Sequence, residues 1–156
     1  MASRVFFDPI VALRAAPLLS STCTLLYAYD QQFFLGMLNE PGATRKHAKA
    51  ILPAYFATFF RKGVVFVVTM LAVTTWGSVA NVYTQRPVLH AKGSFWWYMA
   101  GALLSSSHLL FIPVIAPSVK AIIEGGEADD LNASLDEWLS INKVRMLTVD
   151  LALGRH

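Results

Sequence analysis

The chain has 156 residues, 55% of them hydrophobic and 15% charged, with a formal net charge of +3 and a mean hydropathy of +0.48. A soluble domain carries about 25% charged residues, so this composition excludes an ordinary water-soluble globule and points to a single membrane-class domain, 1–156. The lone Cys23 excludes an intrachain disulfide and a thiolate zinc site, and basic residues spread along the flanks of apolar segments make no case for a nucleic-acid partner.

The first apolar segment runs from about Pro9 to Leu38, interrupted by Asp30, Gln31 and Gln32. Arg4 and Arg14 precede it as in a signal peptide. The apolar run continues past Asp30 without a small-x-small cleavage site, so it reads as an uncleaved spanning helix. Residues 39–50 combine turn formers with the basic cluster Arg45, Lys46 and Lys49, and "AILPAYFATFFRKG", 50–63, predicts a short interfacial helix. The second span is predicted over 63–84, a stretch of about 33 Å as a helix, enough for a hydrocarbon core of about 30 Å. A polar turn at 84–93 holds Pro87 and Gly93.

The third span is predicted over 94–116. Trp96, Trp97 and Tyr98 open it, and Tyr83 closes the second span, where interfacial aromatics belong. An acidic Gly-rich loop at 124–130 leads to a last helix over 134–154, capped by Asn132 or Ser134. That helix carries Lys143, Arg145 and Asp150. It therefore packs as the last helix of a bundle or lies along the interface. The expected fold is an all-α integral membrane four-helix bundle, with the interfacial helix between its first and second spans.

Each predicted span carries a polar stripe at helical spacing. These are Tyr27 and Gln31 with Asp30 beside them; Thr74, Ser78, Asn81 and Gln85; Gly101, Ser105 and His108; and Trp138, Asn142 and Arg145. Polar groups in hydrocarbon face the bundle interior, which suggests a common polar core. Thr74, Ser78 and Ser105 read first as close packing and interhelical hydrogen bonds. Asn81 reads equally as packing or as site, and so do Asp30, Gln31 and Gln32, which also suit a wet helix end.

His108 is the residue on which a catalytic reading turns. The bland alternative is a neutral imidazole bonded to Ser105 or a backbone carbonyl. The functional one is a general base, since a neutral imidazole accepts a proton. Arg145 keeps its charge and needs a partner, for which Asp30 and Asp150 are candidates. A structural clasp and a site for a substrate anion are equal readings. Asp150, five positions beyond Arg145, is expected on another helix face, with Asp136 and Lys143. The sequence holds no dinucleotide, P-loop, zincin or nucleophile-elbow motif, and His47, His90, His108 and His156 show no metal-ligand spacing.

The run "LDEWLSINKVRMLTVDLALG", with Trp138, Asn142 and Arg145 in W-x-x-x-N-x-x-R, resembles the end of a family of small four-span membrane proteins. The aromatic-led third span ending in "FIPVIAPSVKAI" and the order of segments resemble that family too. It includes the fungal anthrone oxygenases of polyketide pathways. "DQQ", "SSSH" and the charged last helix are more polar than the family pattern. The resemblance implies a monooxygenase without metal or flavin, with molecular oxygen as co-substrate and an apolar aromatic substrate drawn from the lipid bilayer. It also implies secondary metabolism and a multi-pass place in the endoplasmic reticulum or another endomembrane.

An anthrone anion gives an electron to O2 directly, so such an enzyme needs a base, oxyanion donors and a dry pocket. His108 is the expected base. Arg145, Asn142 and Asn81 are the expected donors, with Asp150 or Asp30 as a second-choice base or anionic partner. Tyr27, Trp76 and Trp138 are expected as walls, near Gln31 and Asp30. The same pocket would serve a non-oxidative isomerase or cyclase working through an enolate. A non-enzymatic anchor or scaffold would instead dock partners through 124–130 or the basic cluster 45–49. Homo-oligomerisation is compatible with either class.

Overall fold

The structure is a computed structural model that describes residues 8–125 and 130–150. Five α-helices account for the architecture: α1 (Pro9–Leu38), α2 (Ala43–Ala91), α3 (Phe95–Ser107), α4 (Ile112–Glu124) and α5 (Leu131–Arg145). A 3₁₀ segment, His108–Phe111, joins α3 to α4, and a π-helical segment, Met146–Asp150, continues α5. No strand occurs among the described residues. Residues 151–154 of the predicted last helix, Arg4, His156 and most of the 124–130 loop lie outside the described residues.

Local chemistry sets the helix boundaries. Asp8 caps α1 by accepting from the Ile10 N–H at 2.8 Å, with Pro9 in the first turn where its missing N–H costs nothing. Helix α2 runs unbroken through the segments expected as an interfacial helix and a separate span. At 49 residues it extends about 73 Å. Nothing between Ala50 and Gly63 ends a helix, because Gly63 is held against Tyr27 rather than in a turn. The predicted 84–93 turn shrinks to a bend at Gln85 (φ −125°, ψ 19°), two residues before Pro87, followed by more helix to Ala91. The reversal itself is a Schellman closure: Gly93 (φ 67°) donates to His90 O at 3.1 Å and Ser94 to Leu89 O at 2.9 Å. Asp130 caps α5 through the Ala133 N–H, not Asn132 or Ser134. Asn132 instead donates its side-chain amide to Arg45 O at 2.8 Å.

Packing divides into two zones. Where the carboxyl end of α1 meets α2, α4 and α5, a hydrophobic cluster forms around Leu35, Leu52, Phe56, Ile122, Leu135 and Trp138. A polar clasp lies beside it: Asn39 Nδ2 donates to Asp136 Oδ1 at 2.6 Å, and Arg45 pairs with Asp136 at 2.7 Å. Arg45 of the basic cluster is thus tied into the fold. Elsewhere α1, α2 and α3 meet through small polar residues. Ser20 bonds Thr74 at 2.7 Å, and Ser105 accepts from Thr75 and donates to Leu71 O, both at 3.1 Å. These are the expected stripes, serving interhelical contact.

The outside is the apolar side. Leu19, Val65, Leu103 and Leu110 are 63%, 66%, 72% and 72% exposed, whereas Asn81, Ser105 and Asp150 are fully buried. A surface inverted in this way suits lipid, where backbone and polar groups must be satisfied internally. Three helical stretches are long and apolar enough to cross a membrane: Pro9–Leu38, Ala43–Ala91 and Phe95–Glu124. Helix α5 is not among them. Its buried stripe, Leu131, Leu135, Trp138, Asn142 and Arg145, packs it against α1, α2 and α4.

Asn81 illustrates why the polar stripe of α2 exists. Pro17, inside α1, has no N–H to give Leu13 O, and Asn81 Nδ2 supplies that bond from the neighbouring helix at 2.7 Å. A second bond runs to Gly77 O at 2.8 Å. Replacing Asn81 by Leu leaves a buried carbonyl unpaired. The expected cost is about 1–3 kcal/mol, read as a thermal midpoint several degrees lower in detergent.

Candidate functional site

Four helical segments converge on one buried chain of polar groups. Asp150 is fully buried, and its two carboxylate oxygens face different partners. Oδ1 lies 3.2 Å from His108 Nδ1, and Oδ2 lies 3.4 Å from Arg145 Nε. Arg145 Nη2 donates to Asn142 Oδ1 at 2.6 Å and to Gln31 Oε1 at 3.4 Å. Asn142 is itself anchored on α1, donating to Ala28 O at 3.3 Å. His108 and Arg145 are each 6% exposed.

Two departures from α-helical winding build this chain. Asp150 was expected on a different face from Arg145. Over Met146–Asp150 the helix widens to a π form, whose i→i+5 repeat brings the two residues together. Opposite it, the α3 helix tightens to 3₁₀ at His108–Phe111. The cause is Pro113, which cannot donate to Leu109 O and whose ring crowds that carbonyl. The imidazole therefore meets Asp150, not Ser105. The Ser105 hydroxyl is spent on Leu71 O.

The chain borders an apolar cavity of about 470 Å³. Gln31, His108, Trp138 and Arg145 form its buried polar edge, Phe60, Val64, Val67, Leu71, Ile112 and Ile115 are among its apolar walls, and the exposed Lys120 and Glu124 also line it. In the tautomer that carries its proton on Nδ1, the imidazole donates to the carboxylate. Nε2, which has no partner among the described residues, is left as the acceptor. Arg145 Nε and Asp150 Oδ2 form an ion pair without an aligned hydrogen bond, and Trp138 Nε1 is buried with no partner among the described residues. Buried donors left open beside a cavity are places where a ligand oxygen can bind. Loose contacts of 3.2–3.4 Å are also common in catalytic groups before substrate tightens them.

The structure thus brings together His108, Asp150, Arg145, Asn142, Gln31 and Trp138. Tyr27 stands behind the wall, its hydroxyl where a Cβ on cavity-lining Gly63 would lie 2.5 Å away, and its ring 4.8 Å from Phe66. Three expected residues are not brought there. Asp30 is exposed, Trp76 points outward at 70% exposure, and Asn81 is bonded to Leu13 O. The four stripes do not share one interior, because those of α2 and most of α3 close the α1–α2–α3 contacts. Phe60 and Ile115 were not expected as walls. Only their place on the inner face of long apolar helices marks them. No group of three or more His, Cys, Asp or Glu able to hold a metal occurs among the described residues.

Comparison with known proteins gives a consistent picture over most of the chain. It is 28% identical over 143 residues to "Epoxidase pydX" of Acremonium sp, covering 92% of this chain and 88% of that protein. It is 29% identical over 139 residues to "Epoxidase gkaX" of Penicillium citrinum, covering 89% and 86%. No described protein family matches the chain, and no solved structure does.

Proposed function

We propose that this chain is a membrane-embedded tailoring oxygenase whose active site is the His108–Asp150–Arg145 chain and the apolar cavity beside it. The observation that carries the reading is that buried relay: a carboxylate orients an imidazole and pairs with a guanidinium at the polar edge of a largely apolar pocket. Similarity to two fungal proteins named epoxidases, over about nine-tenths of the chain, supports oxidation over isomerisation.

Nε2 of His108 takes an acidic proton from an apolar substrate, and Asp150 stabilises the resulting imidazolium. Arg145, with Trp138 Nε1, holds the oxyanion. The electron-rich anion passes one electron to O2, and the radical pair closes to a peroxide. With a hydroquinone the sum is hydroquinone plus O2 to quinone epoxide plus water. With an anthrone it is CH2 plus O2 to C=O plus water. In both, the substrate supplies all four electrons and the chain needs no metal or flavin. The names of the relatives favour epoxidation. The W-x-x-x-N-x-x-R pattern favours the anthrone outcome. The substrate reaches the cavity from the bilayer, and an endomembrane such as the endoplasmic reticulum is the proposed location.

The test is ¹⁸O2 labelling in membranes carrying the full chain, with a decyl-hydroquinone and a tricyclic anthrone as probes. Membranes lacking the chain supply the uncatalysed rate. One ¹⁸O in a quinone epoxide or in the new anthraquinone carbonyl, formed above that rate without added reductant, is the expected result. No label above background from either probe sinks the oxygenase reading.

A further inference from the structure

A second cavity, of about 220 Å³, lies at the opposite end of the bundle, between the amino end of α1, the far half of α2 and the start of α3. Arg14 on its wall is roughly 25 Å along α1 from Gln31, at 1.5 Å per residue. The two cavities share no lining residue, although Leu71 of one and Thr74 of the other are neighbours on α2. Nothing in the proposed oxidation uses this one.

Three features favour an anion there. Arg14 Nε donates to the neutral Gln85 Oε1 at 2.5 Å, and no carboxylate pairs with Arg14 among the described residues. Ser78 lines the cavity, is 1% exposed, and its hydroxyl has no hydrogen-bond partner among the described residues. A buried hydroxyl left unpaired calls for a ligand oxygen. The third feature is the amino end of α3, which meets the cavity at Ser94 without a side-chain cap. Its positive end adds to the guanidinium.

The walls decide what kind of anion fits. Leu18 and Trp97 line the cavity and are 43% and 56% exposed, so its mouth opens onto the apolar outer surface. A soluble anion would face hydrocarbon there, whereas an amphiphile extends its chain along it. Tyr98 fixes the floor by donating to Arg14 O at 3.1 Å. We infer that this cavity is a headgroup site for an anionic phospholipid, its phosphate on Arg14 and Ser78 and its acyl chain past Leu18. The inference rests on the reading of the three apolar helices as membrane spans. It is independent of the oxidation chemistry.

A lipid bound here touches three helices, so it raises thermal stability by mass action. The experiment is thermal unfolding of the full chain in a neutral detergent with dioleoyl-phosphatidic acid, and in parallel with dioleoyl-phosphatidylcholine, oleate or inorganic phosphate. Phosphatidic acid is expected to raise the midpoint by several degrees, and the other three by much less. Arg14→Gln is expected to abolish the shift and Arg14→Lys to keep most of it. Leu18→Trp, which fills the mouth without changing charge, is expected to abolish it as well, and decides the matter if Arg14→Gln does not fold. A shift that survives Leu18→Trp overturns the site. So does an equal shift with phosphatidylcholine. An equal shift with oleate or inorganic phosphate overturns the phospholipid assignment, in favour of a carboxylate or a soluble anion.

Discussion

His108→Gln is expected to lower the O2-dependent turnover by about 10²–10⁴-fold, the usual worth of a general base. Glutamine keeps a donor for Asp150 Oδ1, which now faces Nδ1 at 3.2 Å, so the buried carboxylate stays partnered. What glutamine lacks is a nitrogen that accepts a proton. The loss therefore belongs in kcat, with KM changed only a few-fold, because the apolar walls that hold the substrate are untouched. The check is steady-state kinetics with the same two probes, alongside a thermal midpoint. Turnover within a few-fold of the parent, with a normal midpoint, would take the base role from His108. A lowered midpoint with unchanged turnover would make the imidazole a packing group, the bland alternative that "SSSH" allows.

How much of this was readable beforehand depends on whether the backbone kept its regular period. Trp138, Asn142 and Arg145 fall on one face at α-helical spacing, and that face is buried. The same holds for Thr74, Ser78 and Asn81, and for Gly101, Ser105 and His108. Where the winding changed, the reading failed. Asp150 reaches Arg145 only because five residues wind as a π-helix, and no residue type in "MLTVD" announces that. The unbroken α2 was missed for the opposite reason. Pro53 and Gly63 suggest breaks, yet Pro53 is accommodated within the helix and Gly63 makes room for Tyr27.

The outward turn of Trp76 and the partner of Asn81 were not legible for a further reason. A tryptophan in a span serves a pocket wall and a lipid-facing surface equally well by type, and only the rotation of α2 puts Trp76 outside. The task of Asn81 is set by a proline on another helix, a pairing that becomes visible only when α1 and α2 are placed together. A bilayer around helices this apolar would sharpen both cases. With water excluded, each freed carbonyl recruits a side chain, so many intramembrane polar residues serve the backbone. The cavity chain stands apart because its members bond to one another, and three of their polar groups remain open or loosely paired.

Asp150→Asn separates a structural clasp from a working site, since Arg145 reads equally as a clasp and as a site for a substrate anion. The substitution keeps the shape and removes the charge, stranding the Arg145 guanidinium among the neutral Gln31 and Asn142. A buried charge deprived of its partner costs about 3–5 kcal/mol. For a chain of this length that is a midpoint lower by about 10 °C. With its carbonyl oxygen held by Arg145 Nε, asparagine turns its NH2 toward Nδ1, which moves the imidazole proton to Nε2 and disables the base. The expected loss of turnover is up to about 10⁴-fold. The double variant Asp150→Asn with Arg145→Met removes both charges together. It is expected to recover most of the stability, since replacing a buried pair by apolar groups is often neutral. It is expected to recover none of the turnover, since base orientation and oxyanion donor are both gone. If activity instead returned with stability, Asp150 and Arg145 would be a clasp holding α5 to the bundle. The chemistry would then have to run from His108 alone.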